Sequence, residues 1–486
     1  AAKPIRKVKP FGAINFIVLI VYLSAMAGVG LYFMRKNKNT DDYFRGGQNI
    51  PWWVAGCSIF ATMLSSITYM ALPSKAFAAD WTYLLGFPII LITAIFVIYQ
   101  ILPFFRRINA TSAYEYLELR FNLGTRLLGS SLFIFFHIGR MAIVLYLSAL
   151  ALASITPLTE VQAILIMGLF SLLYSTLGGI EAVVWTDTIQ TFVLFGGAII
   201  ILVFALQRID GGMAEMVRIA AAEGKFKIIH WDWDRMSFTV TAFWVIILGG
   251  VGQNLVSYTS DQAVVQRYMT TPDKKTAAKA ILTNGILSQP VGLLFLTLGA
   301  ALFVFYKTHP THLDPTFKID AVMPMFIAQE LPIGVAGLIV AGIFAATQST
   351  ISTSMNSTAT AFITDFMRRF SLMPSERAYF NLARLMTLFF GVAGVALAVL
   401  LAKADIKSML DSFLSVIGLF GGALTGMFLL GIFTKRANGI GVFIGACVGG
   451  MVLYIVQATT QSHVYVYVFI GILASMIVGY VSSLIL

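Results

Sequence analysis

The chain has 486 residues, of which 58% are hydrophobic and only 11% are charged, and its mean hydropathy is +0.85. Soluble globular proteins contain about 25% charged residues, so the composition excludes an ordinary soluble protein. The net charge of +11 is spread over connecting loops without a basic domain, which argues against a nucleic-acid partner.

Thirteen apolar segments have lengths near the roughly 20 residues that a helix needs to cross about 30 Å of hydrocarbon. They cover 13–34, 50–72, 81–103, 127–153, 158–176, 180–206, 237–260, 278–305, 322–363, 378–402, 408–433, 438–458 and 463–486. In the ninth segment, a short piece (AVMPMFIAQELP) precedes one long helix. Because only helices satisfy the backbone within such segments, the fold class is an all-α membrane protein with about 13 transmembrane helices.

The spans group into units. We expect an extra N-terminal helix at 13–34, a five-helix unit at 50–206, an extracellular loop at 207–236 held at the interface by Trp231 and Trp233, a second five-helix unit at 237–433, and two additional helices at 438–486. An odd number of spans inverts the second unit relative to the first, as in many transporters. Cations concentrate in alternate loops, including 267–279, and this bias predicts an outside N-terminus and a cytoplasmic C-terminus, although the basic N-terminal tail and the loop 207–236 disagree.

The first span of the first unit, PWWVAGCSIFATMLSSITYMALPS, has a polar centre between apolar halves. This pattern predicts a discontinuous helix whose freed carbonyls line a cavity or hold an ion. The alternative is close helix packing through hydroxyl and small residues.

A second hydroxyl-rich stretch, AATQSTISTSMNSTAT at 345–360, interrupts an otherwise apolar helix. Ser349, Ser352, Thr353 and Asn356 share one helical face. Such neutral oxygens suit a monovalent cation, whereas the alternative is that each hydroxyl bonds to its own helix backbone.

Two charged residues lie within apolar spans, Arg140 and Asp187. A buried charge costs several kcal/mol and indicates function. Either the two residues pair with each other, or Asp187 completes a cation site and Arg140 binds a substrate carboxylate through its planar fork. His137, one turn before Arg140, is expected to be a packed, hydrogen-bonded histidine.

Enzyme signatures such as HExxH, GxSxG or a P-loop do not occur in the sequence, so we expect a protein that is not an enzyme. A channel is the alternative, but no filter repeat of the TVGYG type occurs.

Three segments, DDYFRGGQNIPWWVAG, GGIEAVVWTDTIQ and FAATQSTISTSMNSTAT, resemble signatures of the sodium/solute symporter family. FATMLSSITYMALPSKAFAADWTY, TSAYEYLELRF, FHIGR and KRANG resemble its bacterial sodium-coupled sialic acid transporters. The resemblance implies a LeuT-like core of two inverted five-helix repeats, each with a broken first helix, and alternating access.

The resemblance also implies site residues. The first sodium site would use carbonyls of Ala61, Leu64 and Ala346 with hydroxyls of Ser349 and Thr350, and the second would use Asp187, Ser349, Ser352 and Thr353. Substrate positions would be Ser65, Ser66, Thr68, Arg140 and Asn254, with Tyr83 as an aromatic wall. Phe87 replaces an expected polar amide and leaves the choice of sugar open.

The expected function is therefore a symporter of the bacterial plasma (inner) membrane that couples sodium entry to import of sialic acid (N-acetylneuraminate). Its partners would be the acidic sugar, sodium ions and membrane lipids, and it would function as a monomer. The alternatives are a sodium symporter for another sugar or sugar acid, and an uncoupled facilitator.

Overall fold

The computed structural model describes residues 11–64, 66–108, 110–230, 238, 241–312, 319–403 and 409–486. Within these ranges the regular structure is entirely helical, as the composition predicted. The α-helices are α1 (Gly12–Met34), α2 (Thr40–Arg45), α3 (Trp52–Met63), α4 (Ser66–Ala78), α5 (Gly86–Gln100), α6 (Leu102–Ile108), α7 (Glu115–Arg120), α8 (Leu123–Ile155), α9 (Glu160–Gln207), α10 (Gly212–Ala222), α11 (Phe243–Leu255), α12 (Gln262–Met269), α13 (Lys274–Thr308), α14 (Val322–Glu330), α15 (Val335–Phe362), α16 (Glu376–Leu401), α17 (Met409–Val416), α18 (Ala423–Phe433), α19 (Gly439–Thr459) and α20 (Tyr467–Ile485).

Ten helices among the described residues are long and apolar enough to cross a membrane, or eleven if the bent pair α3 and α4 forms one span. Two predicted spans, 158–176 and 180–206, both fall within the 48-residue helix α9, which is broken at Gly179 (φ 60°, ψ −158°). A side chain at Gly179 would also collide with Tyr43, since an added Cβ would lie 2.9 Å from the Tyr43 carbonyl oxygen. Another predicted span, 237–260, corresponds to α11 followed by a π-helical turn at Val256–Ser260.

The break predicted in the first span of the first unit is confirmed. Helix α3 ends at Met63, Leu64 has an extended backbone (φ −88°, ψ 90°), and α4 begins at Ser66. The axes of the two helical halves differ by 55°. The predicted anchors Trp231 and Trp233 lie outside the described residues.

A second break separates the π-helical turn from α12 at Asp261 (φ −80°, ψ 104°). The Asp261 carboxylate accepts a hydrogen bond from the Ala263 backbone N–H (2.8 Å) and so begins the new helix. Every residue of α12 is buried, including Arg267, which is fully inaccessible to solvent. The assignment of Arg267 to a cytoplasmic loop was therefore wrong, because the chain re-enters the protein after Asp261.

Helix α15 carries the hydroxyl-rich stretch, and the short helix α14 precedes it as predicted. In the most apolar 18-residue window of the span that contains α15, 89% of the residues are buried inside the protein, against 28% in the corresponding windows of α1 and α16. It packs against α1, α8, α9 and α16. The hydroxyls therefore face protein rather than lipid, which is why a membrane helix tolerates them.

Candidate functional site

Four of the five residues predicted for the first sodium site meet where α3 ends beside α15. The Ser349 hydroxyl lies 3.2 Å from the carbonyl oxygen of Ala61 and 3.0 Å from that of Ala346. The Thr350 hydroxyl lies 3.3 Å from the same Ala346 oxygen. Leu64, the fifth residue, follows one turn after Ala61 at the end of α3. These groups are buried and uncharged.

A group of neutral oxygens at a helix break suits a small monovalent cation, because carbonyl and hydroxyl oxygens replace water ligands without an added buried charge. The helix break can supply the carbonyls of Ala61 and Leu64, since Leu64 departs from helical geometry and ends α3, whereas the Ala346 carbonyl belongs to α15.

Asp187 lies at the centre of a second buried polar cluster. One of its oxygens, Oδ2, accepts hydrogen bonds from Ser58 Oγ (2.6 Å) and Arg267 Nη2 (3.1 Å). The other oxygen, Oδ1, is buried and has no hydrogen-bond partner among the described residues. An unpaired carboxylate oxygen in the interior is costly, so this atom favours a ligand that the protein alone does not supply.

The remaining residues predicted for the second sodium site adjoin this cluster. Arg267 also donates to Thr353 Oγ1, so its guanidinium joins Asp187 to α15. Ser352 Oγ lies 3.3 Å from the carbonyl oxygen of Ser349. The arrangement connects the two predicted ion sites through Ser349.

Arg140 does not pair with Asp187, so the interpretation of these two charges as one ion pair is wrong. Its guanidinium donates to Asp261 Oδ2 (3.2 Å) and to the Thr62 carbonyl (2.6 Å), while Nε has no hydrogen-bond partner among the described residues. Asp261 also lies 3.0 Å from His137 Nε2, and His137 Nδ1 lies 2.8 Å from Ser354 Oγ. His137 is thus the packed, hydrogen-bonded histidine that the sequence predicted.

Five of the predicted substrate positions line one cavity, namely Thr68, Tyr83, Phe87, Arg140 and Asn254. Ser65 lies outside the described residues, as does the side chain of Ser66. The lining also includes Lys75, Gln253, Ser257 and Ser288, which the sequence analysis did not single out.

On the other side of Arg140 the helices are tied together by buried polar contacts. The Tyr114 hydroxyl donates to the Ser260 carbonyl (3.0 Å), and Asp365 accepts from Arg126 Nε (2.8 Å) and Ser112 Oγ (2.7 Å). The cavity is lined from Arg140 to Tyr83 and Tyr465, and the residues of these polar contacts are not part of its lining.

Asp261 and Arg267 are the residues that the sequence analysis missed. Both lie in DQAVVQRYM, which follows the predicted span 237–260 and precedes the polar segment TTPDKK. That position resembles the start of a loop, which obscures the return of the chain into the protein. The available signal was two opposite charges in a segment with the apolar periodicity of a short helix.

The model of the "Sodium:solute symporter family" matches residues 43–449. The chain is 40% identical to the sodium/sialic acid symporter SiaT of Proteus mirabilis (strain HI4320), over 97% of this chain and 95% of that protein. It is also 40% identical to the sodium/sialic acid symporter NanT of Aliivibrio fischeri (strain ATCC 700601 / ES114), over 97% and 93% of the two chains.

A solved structure described as the substrate-bound outward-open state of a Na+-coupled sialic acid symporter is 38% identical. It superposes with a TM-score of 0.92 over 98% of each chain. The extent of these matches covers both halves of the bundle and the whole candidate site. The chain therefore belongs to the sodium:solute symporter family.

Proposed function

We propose that the protein is a sodium-coupled secondary transporter that imports sialic acid (N-acetylneuraminate) by alternating access. The observation that carries this proposal is the neutral oxygen cluster of Ala61, Ala346, Ser349 and Thr350, which lies at the break between α3 and α4 beside a cavity that contains Arg140. The relatives that are 40% identical over nearly the full length are sodium/sialic acid symporters. A transporter rather than an enzyme fits both observations.

Sodium is the co-transported ion. The first ion would bind at Ala61, Leu64, Ala346, Ser349 and Thr350, and the second at Asp187, Ser349, Ser352 and Thr353. The Oδ1 of Asp187 supports the second site, since it is a buried carboxylate oxygen without a partner among the described residues, while Oδ2 is paired with Ser58 and Arg267. Because both sites share Ser349, occupation of one influences the geometry of the other.

The substrate carboxylate would bind at Arg140. Its Nε is buried and unpaired among the described residues, and its planar guanidinium can hold a carboxylate with two hydrogen bonds. Thr68 and Asn254 would bind sugar hydroxyl or amide groups, together with Ser65 and Ser66, and Tyr83 would stack against the ring. Phe87 supplies an apolar surface to this cavity and favours a test of other sugar acids.

The architecture that we propose has thirteen spans. At about 1.5 Å per residue the 48 residues of α9 would extend for roughly 72 Å, more than twice the ~30 Å hydrocarbon thickness, so the break at Gly179 divides two spans. Helix α11 with the following π-helical turn supplies a further span. The ten long helices already include α9 once, so the bent pair, the second half of α9 and the span of α11 each add one, which gives thirteen.

Residues 50–206 and 237–433 would form the two inverted repeats. Each begins with a helix broken at its centre, at Leu64 in the first and at Asp261 in the second. Residues 13–34 and 438–486 would be additional helices outside the repeats. The transporter would lie in the bacterial inner membrane as a monomer surrounded by lipids, with its N-terminus outside and its C-terminus in the cytoplasm, and it would need no nucleic acid.

The proposal is tested by the sodium dependence of substrate binding to the purified protein. Isothermal titration with N-acetylneuraminate should show binding in sodium and much weaker binding when choline replaces sodium. A panel of neutral sugars and other sugar acids then identifies the substrate class. Equal binding with and without sodium would favour an uncoupled facilitator.

A further inference from the structure

The charges that line the cavity do not balance. Arg140 and Lys75 are the cations among the described lining residues, and Arg140 already forms an ion pair with Asp261. The other buried arginine nearby, Arg267, is paired with Asp187. The two internal arginines therefore contribute little net charge to the cavity.

Lys75 differs from both arginines. It is half-buried in the last turn of α4, its backbone carbonyl accepts the usual helical hydrogen bond from Ala79, and its ammonium forms no ion pair with the described carboxylates. The carboxylate of nearby Asp80 contacts His230 Nε2 (2.6 Å) and accepts a hydrogen bond from the Thr82 hydroxyl. Asp411 also lies near His463, but it makes no ion pair with Lys75.

His463 does not add to the positive charge at this end. Its Nδ1 accepts a hydrogen bond from the Tyr465 backbone N–H (3.2 Å), so this nitrogen carries no proton and the imidazole is neutral. Along α4, Lys75 follows Thr68 by two turns, which corresponds to about 10 Å. Lys75, which has no ion pair among the described residues, thus lines the same cavity as Arg140 but lies near the end of its span, three residues before α4 ends at Ala78.

We propose that Lys75 is the residue that attracts the carboxylate of an incoming acidic sugar and guides it toward Arg140. An entrance lined by one sign of charge raises the local concentration of an oppositely charged solute and its association rate. Arg140, which is held by Asp261, contributes at the later stage, when the substrate has displaced water from the cavity. This assignment rests on the proposed function and adds a separate entry step to it.

The test compares Lys75→Met with Lys75→Arg, and uses Lys227→Met as a matched control. Lys227 is exposed in the segment after α10 and does not line the cavity. Initial uptake rates into proteoliposomes are measured at low substrate, for N-acetylneuraminate and for its analogue with the carboxylate reduced to an alcohol. Sodium is held constant while choline chloride sets a low or a high ionic strength.

Lys75→Met should lower kcat/KM for the acid about threefold to tenfold at low ionic strength, and less at high ionic strength, because salt screens the attraction. Uptake of the alcohol, the maximal rate and the sodium midpoint should stay unchanged. Lys75→Arg and Lys227→Met should behave like the wild type.

Equal losses for acid and alcohol would overturn the proposal, since they would show that Lys75 supports the fold or the cavity wall. Wild-type kinetics and salt dependence in Lys75→Met would overturn it as well. If the wild type itself shows no sodium-driven uptake of an acidic sugar, the proposed function fails and the entry step with it. Normal uptake by the wild type with an unaffected Lys75→Met removes only the entry step.

Discussion

Ser349 is the residue that the two proposed ion sites share. Its hydroxyl contacts the carbonyl oxygens of Ala61 and Ala346, and its own carbonyl accepts a hydrogen bond from Ser352. It therefore joins α3 to α15 at the point where α3 ends. We therefore expect Ser349 to affect ion binding without carrying a charge.

Replacing this hydroxyl should weaken sodium binding more than folding. Ser349→Ala removes one oxygen from each proposed site while the surrounding helix stays buried, so we expect the sodium concentration for half-maximal uptake to rise about tenfold or more, as the loss of a ligand to an ion costs about 1.5–3 kcal/mol. The measurement is uptake as a function of sodium, with Thr358→Ala on the same helix as the control, since the Thr358 hydroxyl donates to backbone carbonyls of its own helix. A wild-type sodium midpoint in Ser349→Ala would show that the hydroxyl stripe is structural.

Arg140 carries the claim that the substrate is an acid. Arg140→Ala should weaken N-acetylneuraminate binding roughly ten- to hundredfold, because a hydrogen bond to a charged group contributes about 1.5–3 kcal/mol. Arg140→Lys keeps the charge without the planar fork and should bind with intermediate affinity. Titration calorimetry in sodium measures all three proteins.

Arg140→Ala also removes the ion-pair partner of the buried Asp261 carboxylate. A control must therefore separate this structural effect from the loss of a contact to the substrate. The alcohol analogue provides this control, since it cannot form the charged contact. It should bind the wild type poorly and lose little further affinity in Arg140→Ala. A similar loss for acid and alcohol would mean that Arg140 does not recognise the carboxylate.

At the scale of elements, α9 and α12 are joined by one buried ion pair, Asp187 with Arg267 at 3.1 Å, and both side chains are fully buried. Removing one member of such a pair leaves an uncompensated charge, which typically costs about 3–5 kcal/mol. Asp187 therefore has a structural task as well as a proposed role in ion binding. The two tasks can be separated by changing the partner.

Asp187→Asn should lower the thermal stability of the protein and change its ion coupling, whereas Asp187→Asn with Arg267→Met should recover stability without recovering the coupling. Two sodium ions that enter with one negatively charged substrate carry a net charge of about +1 inward. The loss of one sodium ion would make the transport cycle electroneutral. The charge moved per substrate is measured from substrate-induced currents. If the double variant keeps the wild-type charge per substrate, Asp187 acts only as the partner of Arg267.

The family resemblance implied a broken first helix in each repeat, but the hydropathy pattern located only the first of the two breaks. The polar centre of ATMLSSIT interrupts an apolar run, so the end of α3 at Met63 could be expected from hydropathy alone. The break at Asp261 follows a span and precedes lysine-rich residues, so its pattern is that of a membrane exit. The burial of α12 and the contact of Arg267 with Asp187 show that the chain stays inside the protein after Asp261.

The contacts of Arg140 were equally inaccessible to a local pattern. The sequence identified its burial and its importance, but its partner Asp261 is 121 residues away in the chain. Residue types and spacing identify a buried charge, whereas pairing depends on how the helices pack. The oxygen cluster around Ser349 was more accessible, because the family resemblance specified positions on both α3 and α15.

At the scale of the whole molecule, composition was sufficient to predict a helical membrane protein, and the structure has that architecture over its described residues. The count of spans was less direct, since one element contains two predicted spans and another is too short by itself. Hydropathy shows which segments are apolar, whereas helix breaks such as that at Gly179 determine how these segments are divided into separate spans.

The central claim, that sodium entry drives the import of an acidic sugar, concerns the whole molecule. The most direct measurement is uptake of labelled N-acetylneuraminate into proteoliposomes with an inward sodium gradient, compared with equal sodium on both sides and with a sodium-free gradient of choline. We predict accumulation above the external concentration only with the inward sodium gradient, and its collapse when the gradient is dissipated. Uptake that stops at the external concentration and is the same in all three conditions would contradict sodium coupling.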